Sequence, residues 1–141
     1  MHIPILGPVA TLICWTLLIQ VWLYATRLPA LRKAGINLVG RRGSRPGGMD
    51  GVLPDHVQWK AHNYNHLLEQ PTIFYAACLS LAILGFGSGL NAVLAWLYVG
   101  LRIAHSLVQV TENIIVYRFA LHSLASAVLA VLAIRLAANC F

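Results

Sequence analysis

Four long apolar runs constrain the fold of this chain more than any other feature. A helix needs about 20 apolar residues to cross the hydrocarbon core of a bilayer. Four runs reach that length, at about 4–24, 56–84, 90–112 and 117–137. Of the 141 residues, 59% are hydrophobic and 10% are charged, whereas about 25% are charged in soluble domains. The sequence therefore predicts one all-α domain, 1–141, that is an integral membrane four-helix bundle.

Basic residues are concentrated between the first two runs. The net charge is +6, and seven of the ten Lys and Arg residues lie from Arg27 to Lys60. The connection 28–55 is long and rich in Gly and Pro, so its GRRGSRPGGMDG stretch predicts no regular element. Because basic loops stay on the cytoplasmic side, we expect this loop in the cytoplasm and both termini outside; in a bacterium the membrane would be the inner or cell membrane. Basic and aromatic residues are not interleaved on a soluble surface, so no nucleic-acid partner is expected.

The other connections are short. The GFGSG stretch at 85–89 predicts an uncharged turn, and the third and fourth runs meet near Asn113 in a tight helical hairpin. Pro71 lacks a backbone N–H and should bend the second run. Such a bend opens space for a ligand or is a plain packing kink.

Polar residues inside two of the runs fall on single helix faces. In the second run the spacing is i, i+3, i+4, i+7: His62, Asn65, His66 and Glu69. In the third run the spacing is 3, 4 and 3: Arg102, His105, Gln109 and Glu112. Since a charge at a helix centre costs at least about 2.5–3.5 kcal/mol, both stripes are expected to face the bundle or a subunit interface.

Glu69 and Arg102 lie at similar distances from the cytoplasmic ends of their helices. We therefore expect an ion pair between them. One interpretation is that such a pair only holds the two helices together. The total of eight polar groups favours a functional cavity, because a four-helix bundle needs fewer for cohesion. His62 and His105 remain open to a second interpretation, as capped imidazoles of the core.

The fourth run carries many small residues, which let helices approach closely within the bundle or between subunits. His122 lies among them, and we assign it a structural role. Arg118, at the start of the run, is placed either to meet an anion or to anchor the helix at the interface. The three cysteines have no metal-binding or redox spacing, and no metal is expected.

Two stretches resemble a known family: KAHNYNHLLEQPTIFY (Lys60–Tyr75) and AWLYVGLRIAHSLVQ (Ala95–Gln109). With the four runs and the basic first loop, they resemble the membrane-associated proteins in eicosanoid and glutathione metabolism (MAPEG), in a divergent, bacterial-type branch. The resemblance implies a homotrimer with glutathione as co-substrate, bound in a cytoplasm-facing cavity between subunits.

The resemblance also suggests site residues. The family's basic residue on the second helix falls on Lys60, and its two arginines fall on Arg102 and Arg118. The family's Asn and Glu positions fall on Tyr64 and Leu67, with Asn65 and Glu69 nearby, and its Tyr falls on Gln109. The candidate glutathione-binding residues are Lys60, His62, Asn65, Glu69, Arg102, His105 and Arg118. The candidate catalytic residues are Arg118 and Gln109.

These residues favour a glutathione-dependent membrane enzyme, of transferase or peroxidase type, that acts on lipophilic substrates. The alternative is a non-catalytic protein that binds lipid or another small molecule on the same scaffold. Glu69 in the middle of a span would also suit a proton-coupled transporter, although the chain has no inverted repeat. His66 and His105 could hold haem b, which a Soret band would reveal.

Overall fold

The computed structural model describes residues 3–37, 39–40, 48–49 and 51–141. The regular structure of these residues is entirely helical and forms five segments: α1 Leu6–Lys33, α2 Asp55–Glu69, α3 Pro71–Ile83, α4 Leu90–Thr111 and α5 Ile115–Ala138. Gln70 alone separates α2 from α3, so these two segments are halves of one interrupted helix. The predicted all-α, four-helix architecture is confirmed for the described residues.

Three of the helices, α1, α4 and α5, are long and apolar enough to cross a membrane. The predicted second span is instead divided into α2, with 15 residues, and α3, with 13. Pro71 begins α3, and because it has no N–H the carbonyl of Leu67 loses its helical partner. The interruption that Pro71 predicts is therefore present.

The end of α1 was wrongly predicted. The sequence indicates a stop near Tyr24, ahead of Pro29, but the helix continues to Lys33 with Pro29 inside it. Beyond the proline, Leu31 is buried in a small cluster with Leu53 and Val57. Burial of this apolar surface against the start of α2 offsets the backbone hydrogen bond lost at the proline.

The short connections agree with the prediction. Gly85 and Gly89 adopt positive φ angles of 84° and 57° at the ends of the GFGSG turn, and Asn113 adopts a φ of 55° between α4 and α5. Most of the GRRGSRPGGMDG stretch lies outside the described residues.

The helices pack around α4, which contacts α1, α2 and α5. Its Tyr98 stacks on Phe74 of α3 with ring centroids 4.4 Å apart. Leu12 of α1 and Leu132 of α5 are fully buried in the same core. The largest fully buried side chain, however, is Arg102 of α4. The apolar bundle thus encloses a guanidinium group.

Candidate functional site

Arg102 joins three helices through its guanidinium group. Its Nη2 donates to the main-chain carbonyl of His66 in α2 at 2.6 Å, and its Nη1 lies 3.1 Å from Nδ1 of His122 in α5. The residue is 0% exposed, and its Nε has no hydrogen-bond partner among the described residues. A buried cation held by neutral groups is a strong electrostatic feature, because the apolar surroundings screen it poorly.

Three histidine rings surround this contact. The ring centroids of His66 and His105 are 5.9 Å apart, those of His66 and His122 are 6.1 Å apart, and those of His105 and His122 are 5.8 Å apart. The rings come from α2, α4 and α5, so the cluster exists only in the folded chain. In the part of the chain that the structure describes, no group of three or more His, Cys, Asp or Glu is placed to hold a metal ion.

Glu69 lies beside the cluster, but the predicted ion pair with Arg102 is wrong. Among the described residues, Glu69 pairs with His66, whose Nδ1 is 3.6 Å from Oε2 of Glu69. Glu69 ends α2 on its outer face and its side chain is 68% exposed, whereas Arg102 reaches the inner side of the same helix. The two charges still interact electrostatically at longer range.

The two polar stripes face different ways. In α4 the prediction is confirmed for Arg102, His105 and Gln109, which are buried, but not for Glu112, which is exposed at the helix end. In α2 the stripe points out of the single chain: His62, Asn65 and Glu69 are exposed. The inner face of α2 is formed instead by Lys60, Asn63 and Leu67. His66, at the edge between these faces, is where the two stripes meet.

A second polar network was not predicted. The hydroxyl of Ser106 accepts hydrogen bonds from Asn63 Nδ2 at 2.7 Å and from Trp15 Nε1 at 2.9 Å. It links α2 and α1 to α4, one residue after His105. In the sequence, only Asn63 pointed to this network, because an amide buried in a membrane helix requires a hydrogen-bond partner.

Gln70 ties the interruption between α2 and α3 to the other helices. Its Nε2 donates to Ser126 Oγ in α5 at 2.7 Å, and its Oε1 accepts from the hydroxyl of Tyr98 at 3.4 Å. This role was also missed, because Gln70 lies next to the stripe without sharing its spacing.

The arginines at the two ends of α5 have amide partners. Arg118 Nη1 donates to Asn113 Oδ1 at 2.6 Å, and the guanidinium group interacts electrostatically with His66 and His105. Arg118 therefore lies on the side of the bundle that holds the histidine cluster. At the opposite end, Arg135 donates to Asn91, so it pairs α5 with α4.

A sequence model of the MAPEG family matches residues 5–138. This chain belongs to the MAPEG family. The match covers all five helices, and it confirms the resemblance first seen in two stretches that lie in α2, α3 and α4. No curated protein and no solved structure matches the chain. MAPEG membership and the three long apolar helices both indicate a membrane protein.

In this MAPEG protein, the α2 positions at which the resemblance predicts binding face α1 and the core. Lys60 is directed towards α1: its Nζ donates to the carbonyl of His56 at 2.7 Å and lies 5.2 Å from the ring of Trp22. Leu67 is buried in the core. It also lines, with Tyr64, an apolar cavity of about 220 Å³ between α1 and the α2–α3 junction. The polar groups of α2 are displaced to Asn65 and Glu69, on the outer face.

Gln109, at the position of the family's Tyr, is enclosed. It is 1% exposed, and its Oε1 has no hydrogen-bond partner among the described residues. It lies one helical turn beyond His105, towards the α4–α5 turn. The amide of Gln109 can therefore contact a group that enters the bundle. It cannot contact a group that stays on the outer face of α2.

Proposed function

We propose that this MAPEG protein is a glutathione-dependent membrane enzyme, of transferase or peroxidase type, that acts on lipophilic substrates at the interfaces of a homotrimer. The observation that carries the proposal is the exposure of polar side chains on the outer face of α2. There, His62, Asn65 and Glu69 are exposed beside a cluster of three histidines and a buried arginine.

An exposed polar face requires a cover when it lies within a bilayer. Charged groups in contact with acyl chains cost several kcal/mol, on the order of 2.5–3.5 kcal/mol for a carboxylate at a helix centre. A neighbouring subunit packed over α2 would remove this contact and enclose a polar chamber. The small residues of α5, among them Ala127, Ala130 and Ala133, are exposed in the single chain and suit such close helix packing.

The groups around this chamber match the chemistry of glutathione, which carries two carboxylates, an ammonium group, two amides and a thiol. The carboxylates would bind Arg118 and arginines of the basic loop, because guanidinium groups form paired hydrogen bonds with carboxylates. Glu69 would bind the ammonium group, and Asn65 and His62 the amides. Lys60 is a weaker candidate than its family position suggests, since it would first have to leave Trp22 and the carbonyl of His56.

Arg102 and His105, which lie next to His66, would then serve the thiol, and Gln109 would meet it only if the thiol enters the bundle. The thiolate is the reactive nucleophile, and nearby cations favour it over the thiol. The guanidinium group of Arg102 supplies a fixed positive charge, and for a thiol that enters the bundle the Gln109 amide supplies a hydrogen-bond donor. With the basic loop in the cytoplasm and both termini outside, the chamber would open to cytoplasmic glutathione.

The second candidate is a non-catalytic membrane protein that binds lipid or another small molecule. The apolar cavity beside Tyr64 and Leu67 favours it, because this cavity needs no thiol chemistry to hold an apolar group. The enclosure of Gln109, where the family has a Tyr, also weakens thiolate stabilisation. Turnover separates the two candidates.

The test is turnover of glutathione with chlorodinitrobenzene and with a lipid hydroperoxide, using protein purified in detergent. The wild type should turn over at least one of these substrates, and Arg118→Ala should lose most of the activity. Arg135→Lys is the matched control, because it alters a guanidinium group at the other end of α5, about 25 Å away. Native mass spectrometry should show a trimer that gains mass with glutathione. Binding without turnover would favour the second candidate.

A further inference from the structure

We propose that His66 is the general base that takes the thiol proton of glutathione in this protein. This inference rests on the proposed function and adds a residue that neither the stripe spacing nor the family positions assign as catalytic. The residue that holds the proton decides how the thiolate is made, and the placement of His66 sets it apart from the other two histidines of the cluster.

The first argument is access. His66 lies at the edge between the exposed and buried faces of α2, and 37% of its side chain is exposed. His105 is 3% exposed and so is enclosed within the bundle, while His122 already has the guanidinium group of Arg102 at its Nδ1. His66 is therefore the imidazole of the cluster that a thiol on the outer face of α2 reaches first.

The second argument is the pairing with Glu69. A carboxylate 3.6 Å from Nδ1 favours the tautomer with its proton on Nδ1 and offsets positive charge when the ring accepts a second proton. The Nε2 atom is then the proton acceptor. A carboxylate that orients an imidazole, which in turn activates a nucleophile, is a recurring catalytic arrangement.

The third argument is the fixed position of the His66 backbone. The carbonyl of His66 accepts a hydrogen bond from Arg102 at 2.6 Å, which fastens this turn of α2 to α4. A general base must stay within hydrogen-bond reach of the proton that it removes. Arg102 provides this restraint.

Five charged or titratable groups face the ring. Glu69 belongs to its own helix, Arg102 and His105 to α4, and Arg118 and His122 to α5. One of them is a carboxylate and two are permanent cations. The carboxylate favours a positive charge on the ring and the cations oppose it. An imidazole of ordinary pKa is mostly neutral at about pH 7 and can accept a proton there.

The step balances as follows. The S–H bond of glutathione breaks, its electron pair stays on sulfur, and the proton moves to Nε2 of His66. The thiolate then forms a C–S bond with the carbon of chlorodinitrobenzene that bears chlorine. The C–Cl bond breaks, and chloride leaves with the bonding pair. His66 returns its proton to water, which restores the neutral ring.

The decisive experiment uses the wild-type protein. Glutathione is mixed with it in weakly buffered solution, while thiolate absorbance and a pH indicator are followed together. If His66 keeps the proton, thiolate forms without matching release of protons. Release of a proton for each thiolate would overturn the proposal, since the cations alone would then stabilise the thiolate.

A variant pair gives an independent test. His66→Gln keeps the backbone carbonyl that Arg102 requires, and His56→Gln, on an exposed turn of the same helix about 15 Å away, is the control. Below about pH 8.5, the ordinary pKa of a cysteine thiol, His66→Gln should lose about a hundredfold to ten-thousandfold in kcat/KM. The loss should shrink above that pH, and added imidazole should restore part of the rate.

The outcomes separate this step from the proposed function. An active wild type with an unaffected His66→Gln variant, or with a loss that is the same at every pH, would overturn the role of His66 alone. A wild type that binds glutathione without turning over any electrophile or hydroperoxide would overturn the proposed function, and this step with it. Because the proton-release measurement needs no variant, it decides the question even if His66→Gln does not fold.

Discussion

The side chain of Arg102 holds the main chain of His66: Nη2 donates to the carbonyl oxygen across 2.6 Å. The acceptor belongs to the backbone. A substitution at His66 therefore keeps this hydrogen bond unless it distorts the helix. The contact lies one turn before the interruption at Gln70, where α2 is least supported by its own hydrogen bonds. Arg102 therefore fixes the turn of α2 that carries both His66 and Glu69.

Replacing Arg102 by Lys should destabilise the bundle. Lys keeps the charge but cannot donate from one planar group to both the His66 carbonyl and the His122 ring. Loss of a hydrogen bond from a charged group should cost about 1.5–3 kcal/mol in the free energy of unfolding. The check is the thermal unfolding midpoint in detergent, with Arg32→Lys as the control, because Arg32 is exposed in the last turn of α1. Equal midpoints for both variants would contradict the structural role of Arg102.

The two asparagines of α2 should differ in their effect on stability. Asn63 is buried and donates to Ser106, whereas Asn65 is exposed. Asn63→Ala should lower the free energy of unfolding by about 0.6–1.7 kcal/mol, the range of interhelical hydrogen bonds in membranes. Asn65→Ala should leave it unchanged. A double-mutant cycle of Asn63→Ala with Ser106→Ala should show coupling, and additive losses would mean that the contact contributes nothing.

The long apolar runs predicted the helix ends well wherever hydropathy alone sets them. The expected bounds of the third and fourth spans lie within two residues of α4 and α5. The end of α1 was missed because it depends on a tertiary contact, the burial of Leu31 against Leu53 and Val57. Helical periodicity records which face is polar, and it carries no information on which neighbour covers that face.

The same limit of helical periodicity explains which parts of the candidate site were predicted and which were missed. Spacing placed His62, Asn65, His66 and Glu69 on one face, and they do share it, but the face is open in the single chain. Asn63, Ser106 and Trp15 have no common spacing and come together only when α1, α2 and α4 pack. His122 was assigned a purely structural role because it is a lone histidine among small residues, and its proximity to His66 and Arg102 depends on the packing of α5 against α4.

A methyl group should be tolerated at Gly100 and not at Gly87. A Cβ added at Gly87 would lie 2.6 Å from Cγ2 of Ile3 and 3.0 Å from Cγ2 of Ile5, while a Cβ at Gly100 would meet nothing within 4 Å. Gly87 also accepts a hydrogen bond from the Ile5 N–H at 2.9 Å, so the two backbones cannot separate freely. Gly87→Ala should lose about 1–3 kcal/mol in the free energy of unfolding through overpacking.

Gly100→Ala is the control for that substitution. It lies inside α4, where Ala is favoured over Gly by about 0.5–1 kcal/mol, so the thermal midpoint should rise or stay the same. The order of the midpoints in detergent tests the approach of the N-terminal turn to the GFGSG turn. A lower midpoint for Gly100→Ala than for Gly87→Ala would show that this approach is not as close as the structure has it.

Two exposed carboxylates provide a matched test of the proposed site. Glu69 ends α2 beside His66, and Glu112 follows the last residue of α4, so both lie at the end of a polar stripe. On the proposed function, Glu69→Gln removes the charge that meets the ammonium group of glutathione. The loss of a charge-assisted hydrogen bond, about 1.5–3 kcal/mol, corresponds to an affinity about tenfold to a hundredfold weaker. Isothermal titration of glutathione should show this loss for Glu69→Gln and unchanged affinity for Glu112→Gln. Equal effects would mean that both carboxylates act only through the overall charge of the surface, and the ligand would then have to lie elsewhere than on the outer face of α2.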